Sequence, residues 1–224
     1  MPVNDIRYQE IVKGLQEEKT ALVAVSKTKP VEDIEALLAL GQLDFGENYV
    51  QELVDKQSKI TKEIRWHFIG HLQTNKVKMI VPFVYLIQSV DSLKLLTEIN
   101  KQAEKIGRCV DCLLQIHIAK EETKYGLDEA ELYEILATGS SLKNVHIKGL
   151  MGMATLTGDE SIIRSEYRYL KQLFDTLKAE RSECAHFSVL SMGMSSDYTI
   201  AISEGSNMVR IGSLIFGERN YPVK

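Results

Sequence analysis

A lysine that closes an apolar run is the first residue here whose position suggests chemistry. In Ala24-Val25-Ser26-Lys27-Thr28-Lys29-Pro30, Lys27 follows a stretch that begins at Ala21 and reads as a strand. At the mouth of a low-dielectric pocket, desolvation disfavours the ammonium form and leaves a nucleophilic amine, the condition for a Schiff base with an aldehyde. Lys29 stands two residues on, so strand periodicity alone does not choose between the two. A solvated surface lysine is the plainer alternative. A second constellation is Ser191-Met192-Gly193-Met194-Ser195-Ser196-Asp197. Gly193 permits unusual backbone angles, Ser195, Ser196 and Asp197 are good helix caps, and N–H groups at a helix start suit a phosphate. A plain capped loop explains the same residues. The third is Met208-Val209-Arg210-Ile211-Gly212-Ser213, where Arg210 offers a cation and Gly212 lets backbone amides approach a ligand closely. An amine, a phosphate cradle and a cation on one face coincide by chance far less often than any one of them occurs.

Weaker candidates surround these. Asn48 in Gly46-Glu47-Asn48 can donate to or accept from a ligand hydroxyl, or cap a helix. His67 and His71 lie four apart in Trp66-His67-Phe68-Ile69-Gly70-His71, but a metal pair at that spacing needs a helix, and no third ligand is suitably spaced. Cys109 and Cys112 have CxxC spacing within a strand, where positions i and i+3 face opposite sides; redox or metal chemistry is disfavoured. Met151, in the turn Gly149-Leu150-Met151-Gly152-Met153, either walls a pocket or fills the core.

Positioning these residues takes a repeating scaffold. A first helix is expected over Asp5 to Glu18. Strands then read at Ala21 to Ser26, Leu43 to Gly46, Arg65 to Ile69, Phe83 to Gln88, Cys109 to Ile118, Val145 to Leu150, His186 to Leu190 and Asn207 to Ile211. Helices read between them at Val31 to Leu40, Val50 to Lys59, Thr74 to Ile80, Ser92 to Ile106, Asp128 to Leu136, Ser161 to Leu177 and Asp197 to Ser203, and the last strand leads toward Phe216. Strict β-α alternation implies a parallel sheet. Eight units in about 200 residues suit a closed (β/α)8 barrel better than an open doubly wound sheet. In such a barrel, reacting groups lie at the C-terminal strand ends and phosphate is held by the loops after strands 7 and 8, the location of the second and third constellations. No linker composition interrupts the run, so residues 1–224 are expected to form one barrel domain with an extra N-terminal helix.

Composition narrows the function classes. The 224 residues are 44% hydrophobic and 26% charged, an ordinary globular balance. With 27 basic against 31 acidic residues, net charge −4, there is no general attraction for nucleic acid. The start, Met1-Pro2-Val3-Asn4-Asp5, lacks the basic and apolar regions of a secretory signal. The longest apolar stretch, about Val81 to Ile87, is far short of a membrane span. Three cysteines are too few and odd in number for a disulfide framework, which points to the cytoplasm.

Six motifs in order resemble one family, the YggS/PROSC group of pyridoxal 5′-phosphate (PLP) homeostasis proteins. They are the Lys27 segment, Phe45-Gly-Glu-Asn-Tyr-Val-Gln-Glu52, Trp66-His-Phe-Ile-Gly70 with Leu72-Gln-Thr-Asn-Lys76, Gly149-Leu-Met-Gly-Met153, Ser191 to Asp197, and Met208 to Gly212. The resemblance spans nearly the whole chain and implies an alanine-racemase-like (β/α)8 barrel of PLP fold type III. It also implies roles: Lys27, not Lys29, forms the Schiff base; Arg210 faces the pyridine nitrogen; Ser195, Gly212 and Ser213 cradle the phosphate. Asn48, His67 and Met151 are expected to complete the cofactor site beside them. One departure is His71, where many relatives have proline.

The resemblance further implies what the site can do. A permanent cation opposite the pyridine nitrogen keeps that nitrogen unprotonated and the ring a weaker electron sink. Alanine racemase draws a second base, a tyrosine, from an additional domain, and this chain ends directly after the barrel. A monomeric, non-catalytic carrier or regulator of PLP in vitamin B6 homeostasis is therefore expected, with apo PLP-dependent enzymes as acceptors. A PLP-dependent enzyme such as a weak amino-acid racemase is the alternative; a ligand-free interaction protein, with no chromophore, comes third.

Overall fold

Strand and helix alternate along the computed structural model, which describes residues 3–121, 125–139, 141–184 and 186–217. The strands are β1 (Ala21–Val25), β2 (Asp44–Glu47), β3 (Arg65–Phe68), β4 (Leu86–Val90), β5 (Val110–Ile116), β6 (Val145–Gly152), β7 (Val189–Ser191) and β8 (Met208–Ile211). The α-helices are α1 (Asp5–Glu17), α2 (Val31–Ala39), α3 (Val50–Lys59), α4 (Val77–Ile80), α5 (Leu93–Lys105), α6 (Glu129–Gly139), α7 (Glu160–Glu180), α8 (Tyr198–Ser203) and α9 (Ser213–Phe216). Every strand pairs in parallel with its sequence neighbour, and β1 pairs with β8 from Ala21↔Met208 to Ala24↔Ile211, closing the expected eight-stranded barrel.

Strands covered on both faces need apolar or fully bonded residues throughout. All five residues of β4 are buried. Outward-facing strand residues such as Phe45, Phe68 and Leu114 join the helices in the main core, while Val23, Leu86, Leu113, Met151 and Met208 form a second cluster inside the barrel. Asn4 caps α1 by accepting from the Arg7 N–H at 3.0 Å, and the Asn4 N–H reaches the Ile215 carbonyl in α9. Between β5 and β6 the register slips, with Cys112 opposite Ile147 and Leu113 opposite Gly149. Gly149 has φ +150° there, and a Cβ would come 1.9 Å from the Val189 carbonyl oxygen, so only glycine fits.

Two strands begin later than their apolar runs suggest. Phe83 and Val84 both donate to the Ile80 carbonyl, at 3.1 and 2.8 Å, which makes them the turn that closes α4; β4 starts at Leu86. Phe187 likewise donates to Cys184 at 2.9 Å in a buried turn, and β7 starts at Val189. No helix among the described residues is long and apolar enough to cross a membrane.

Candidate functional site

A cavity of about 420 Å³ opens at the C-terminal ends of the strands. Lys27, Asn48, Ser195, Arg210, Gly212 and Ser213 all line it, with Val25, Lys29, Ile69, Met153, Met194 and Ser196 among their neighbours. Side chains from β1 and β8, from just past the ends of β2, β3 and β6, and from the loops after β1, β7 and β8 thus converge on one space.

Lys27 is half-buried on the loop that leaves β1. Its backbone is fixed from both sides. Ser26 donates its N–H to Gly46 at 3.1 Å and its hydroxyl to Glu47 Oε1 at 2.7 Å, and Lys29 N–H returns to the Ser26 carbonyl at 3.0 Å. Thr28 sits at φ +64°, a left-handed conformation uncommon for a β-branched residue. Its N–H donates to Glu52 Oε1 at 2.6 Å, which helps hold that conformation. Behind the loop, Lys56 donates to the Ser26 carbonyl and to both Glu47 and Glu52. Burial pushes the Glu47 carboxyl above its ordinary range, against the opposing pull of Lys56 and Ser26. The second lysine is engaged elsewhere: Lys29 Nζ donates to the Phe216 carbonyl at 2.7 Å and to Gly217 at 3.3 Å, tying the loop to the end of α9.

Arg210 is buried on β8 at the cavity floor. Nη1 donates to the Ser191 carbonyl at 2.9 Å and to Ser191 Oγ at 2.6 Å, and Nη2 donates to the Gly152 carbonyl at 3.0 Å. A guanidinium carries five N–H groups, so this fixes its plane with donors to spare. Burial lowers its pKa from the usual arginine value, opposed by Tyr167 and Asp197. The Asp197 carboxylate is held in turn by the Met194 N–H at 2.6 Å and the Tyr167 hydroxyl at 3.0 Å.

The far wall is made of serines and close backbone. Ser195 Oγ accepts from the Gly212 N–H at 3.2 Å, joining the loops after β7 and β8. Gly193 lies at φ +92°, where a Cβ would come 2.6 Å from the Ala201 Cβ. A Cβ on Gly212 would lie 3.1 Å from the Val25 carbonyl oxygen. Asn48 Oδ1 is buried with no hydrogen-bond partner, an acceptor beside the cavity.

Two expected cofactor residues lie elsewhere. His67 is fully buried inside the barrel, bonded to Asp44 and Gln88 at 2.9 Å each, and is not part of the cavity lining. Met151 is also fully buried, in the inner core cluster. Both point inward one layer too deep: Ile69 and Met153, two residues further along, reach the cavity instead. His71 stands outside the lining, bonded to Asp91 at 2.9 Å and stacked on Tyr125 with ring centroids 4.0 Å apart. Cys109 is exposed just before β5 and Cys112 buried within it, both as free thiols.

Residues 6–220 match the family model described as alanine racemase, N-terminal domain. The pyridoxal phosphate homeostasis protein of Vibrio alginolyticus is 39% identical over 97% of this chain and 94% of its own length. PipY of Synechococcus elongatus, solved with PLP bound, superposes with a TM-score of 0.85 at 33% identity, covering 93% of this chain and 99% of that one. An alanine racemase of Clostridium difficile shares the fold at 17% identity and a TM-score of 0.75, with this chain covering 59% of it.

Proposed function

This chain belongs to the alanine racemase N-terminal domain family and, within it, to the pyridoxal phosphate homeostasis proteins; on that premise we propose that it binds PLP at the cavity, holds it reversibly on Lys27, and serves as a carrier and regulator of the cofactor. The observation that carries this reading is that Lys27 and Arg210 line one cavity together with the serines of the loops after β7 and β8.

The residues suit the group. Bound PLP supplies an aldehyde, which a primary amine takes up with loss of water to form a Schiff base. Lys27 is the amine on a braced loop, whereas the Lys29 amine is drawn to backbone carbonyls at the end of α9. Arg210 has N–H groups beyond those bonded to Ser191 and Gly152, and directs positive charge at the cavity floor. Ser195, Ser196, Ser213 and the close backbone at Gly212 suit a phosphate, at the strand 7 and 8 loops where barrels commonly hold one. The unpartnered Asn48 Oδ1 lacks a donor that a ligand N–H or O–H would provide.

The same residues argue for holding rather than turning over. A guanidinium facing the ring nitrogen opposes protonation of that nitrogen, which limits how far the ring can withdraw electrons. Apo forms of PLP-dependent enzymes are the acceptors we propose. Adding PLP to the purified chain should give a near-visible absorbance band that saturates at one PLP per chain and decays when an apo PLP enzyme is added. Absence of the band in PLP-saturated protein would refute binding, and steady, Lys27-dependent turnover of an amino acid would refute the carrier role in favour of an enzyme.

A further inference from the structure

A continuous line of polar side chains, buried along its middle, runs through the barrel interior from the cavity to the opposite mouth. Arg210 Nη1 donates to Ser191 Oγ at 2.6 Å, the Ser191 hydroxyl donates to Gln88 Oε1 at 2.7 Å, and Gln88 Nε2 meets His67 Nδ1 at 2.9 Å. His67 Nε2 meets Asp44 Oδ1 at 2.9 Å, and Asp44 accepts from Arg65 Nε at 2.9 Å. Asp44 and Arg65 are the first residues of β2 and β3, at the end of the barrel away from the cavity. Gln88, His67 and Ser191 are fully buried.

The polarity of this line is set at its Asp44 end and agrees with the contacts at its Arg210 end. Arginine has no acceptor, so Ser191 Oγ accepts from Arg210; with Gln88 Oε1 facing it at 2.7 Å its own hydrogen goes to that oxygen, and the amide nitrogen of Gln88 then faces His67 and donates to Nδ1. From the other end, burial raises the Asp44 carboxyl, but hydrogen bonds from His67 and Arg65 outweigh this and keep it below its ordinary range, an acceptor only. Asp44 therefore requires the proton on Nε2 of His67, which leaves Nδ1 to accept from Gln88. Both ends give the same answer, and neither Gln88 nor His67 lines the cavity.

We propose that Gln88 and His67 are positioning residues for Arg210: the Asp44–Arg65 ion pair fixes the His67 tautomer, the tautomer fixes the Gln88 amide, and the amide fixes the Ser191 hydroxyl that orients the guanidinium. This rests on the reading that Arg210 faces bound PLP. Reversing a member changes what orients the guanidinium, because an Nδ1–H on His67 demands a flipped Gln88 amide, which takes Oε1 away from the Ser191 hydrogen and sets its NH2 against the oxygen that accepts from Arg210.

The test has two parts. In the ligand-free protein, 15N NMR of labelled histidine, assigned with His67→Asn, should show His67 as the neutral Nε2–H tautomer; an Nδ1–H or doubly protonated ring at neutral pH overturns the proposal. In the PLP-loaded protein, Gln88→Leu and the remote Asp44→Asn should shift the near-visible band and speed PLP release, by about five- to tenfold for Gln88→Leu, the worth of roughly one hydrogen bond. Folded variants with wild-type band and release rate overturn it. If Gln88→Leu does not fold, Ser191→Ala, which deletes one oxygen, takes its place with the same expectations. If wild type takes up no PLP, the functional reading fails first and the positioning role falls with it; wild-type uptake with unaffected variants removes the positioning role alone.

Discussion

Lys56 Nζ lies 2.7 Å from Glu47 Oε1, an ion pair shut away from water between α3 and the end of β2. The same ammonium reaches Glu52 at 2.7 Å and the Ser26 carbonyl at 2.8 Å, so one cation holds two carboxylates against the backbone next to Lys27. Removing one partner of a buried pair is far costlier than the net worth of the pair, because the other charge stays buried and uncompensated. Lys56→Met should therefore lower unfolding free energy by about 3 kcal/mol in urea titrations. It should also weaken PLP binding, since Thr28 N–H depends on Glu52 for its partner. A change below about 1 kcal/mol, the level of an exposed pair, would contradict the bracing role.

The Glu47 and Asp44 carboxyls respond to pH in opposite directions. Glu47 is raised by burial, so its contribution to stability is complete below the unfolded carboxyl value and is lost as pH rises through its higher folded value. Asp44 is held low overall by His67 and Arg65 despite its burial, so its contribution is present above the unfolded value and is lost as pH falls through its lower folded value. Urea unfolding across pH should show Glu47→Gln flattening the profile above about pH 4 and Asp44→Asn flattening it below. Parallel profiles for wild type and both variants would count against these assignments.

Gly212 tests the end of the cavity proposed to hold the phosphate. A Cβ there would sit 3.1 Å from the Val25 carbonyl oxygen and 3.3 Å from the Val25 Cβ, so Gly212→Ala must push the loop after β8 away from β1 and from Ser195. PLP affinity should fall by about tenfold, or about 1.4 kcal/mol, with a smaller loss of thermal stability. Unchanged affinity in a PLP titration would separate Gly212 from the phosphate.

Much of this architecture was legible because parallel strands in a barrel are apolar throughout and glycine or a cap punctuates each unit. α3 falls where its amphipathic pattern places it, at Val50–Lys59. The limits are equally physical. Phe83 and Phe187 are apolar because they pack in the core, not because they extend, so their runs overstate β4 and β7 at the start. Depth along a strand also escapes the period-two pattern: Met151 and Met153 share a face, and only the register slip opposite Gly149 and the closed barrel decide which of them reaches the cavity. Lys27, Asn48, Ser195, Arg210, Gly212 and Ser213 converge as their strand ends suggest. The line through Gln88 and Asp44 leaves a fainter mark: a glutamine two residues past Leu86, among the buried apolar residues of β4, is a sign that something inside the barrel must bond to it.

We propose that one lysine carries the cofactor, and both Lys27 and Lys29 border the same cavity. Borohydride reduction of PLP-loaded protein followed by peptide mass mapping decides between them directly. The reduced pyridoxyl adduct is expected on Lys27, lost together with the near-visible band in Lys27→Ala and retained in Lys29→Ala. An adduct on Lys29 or another lysine, or a band that survives Lys27→Ala, would contradict the proposal.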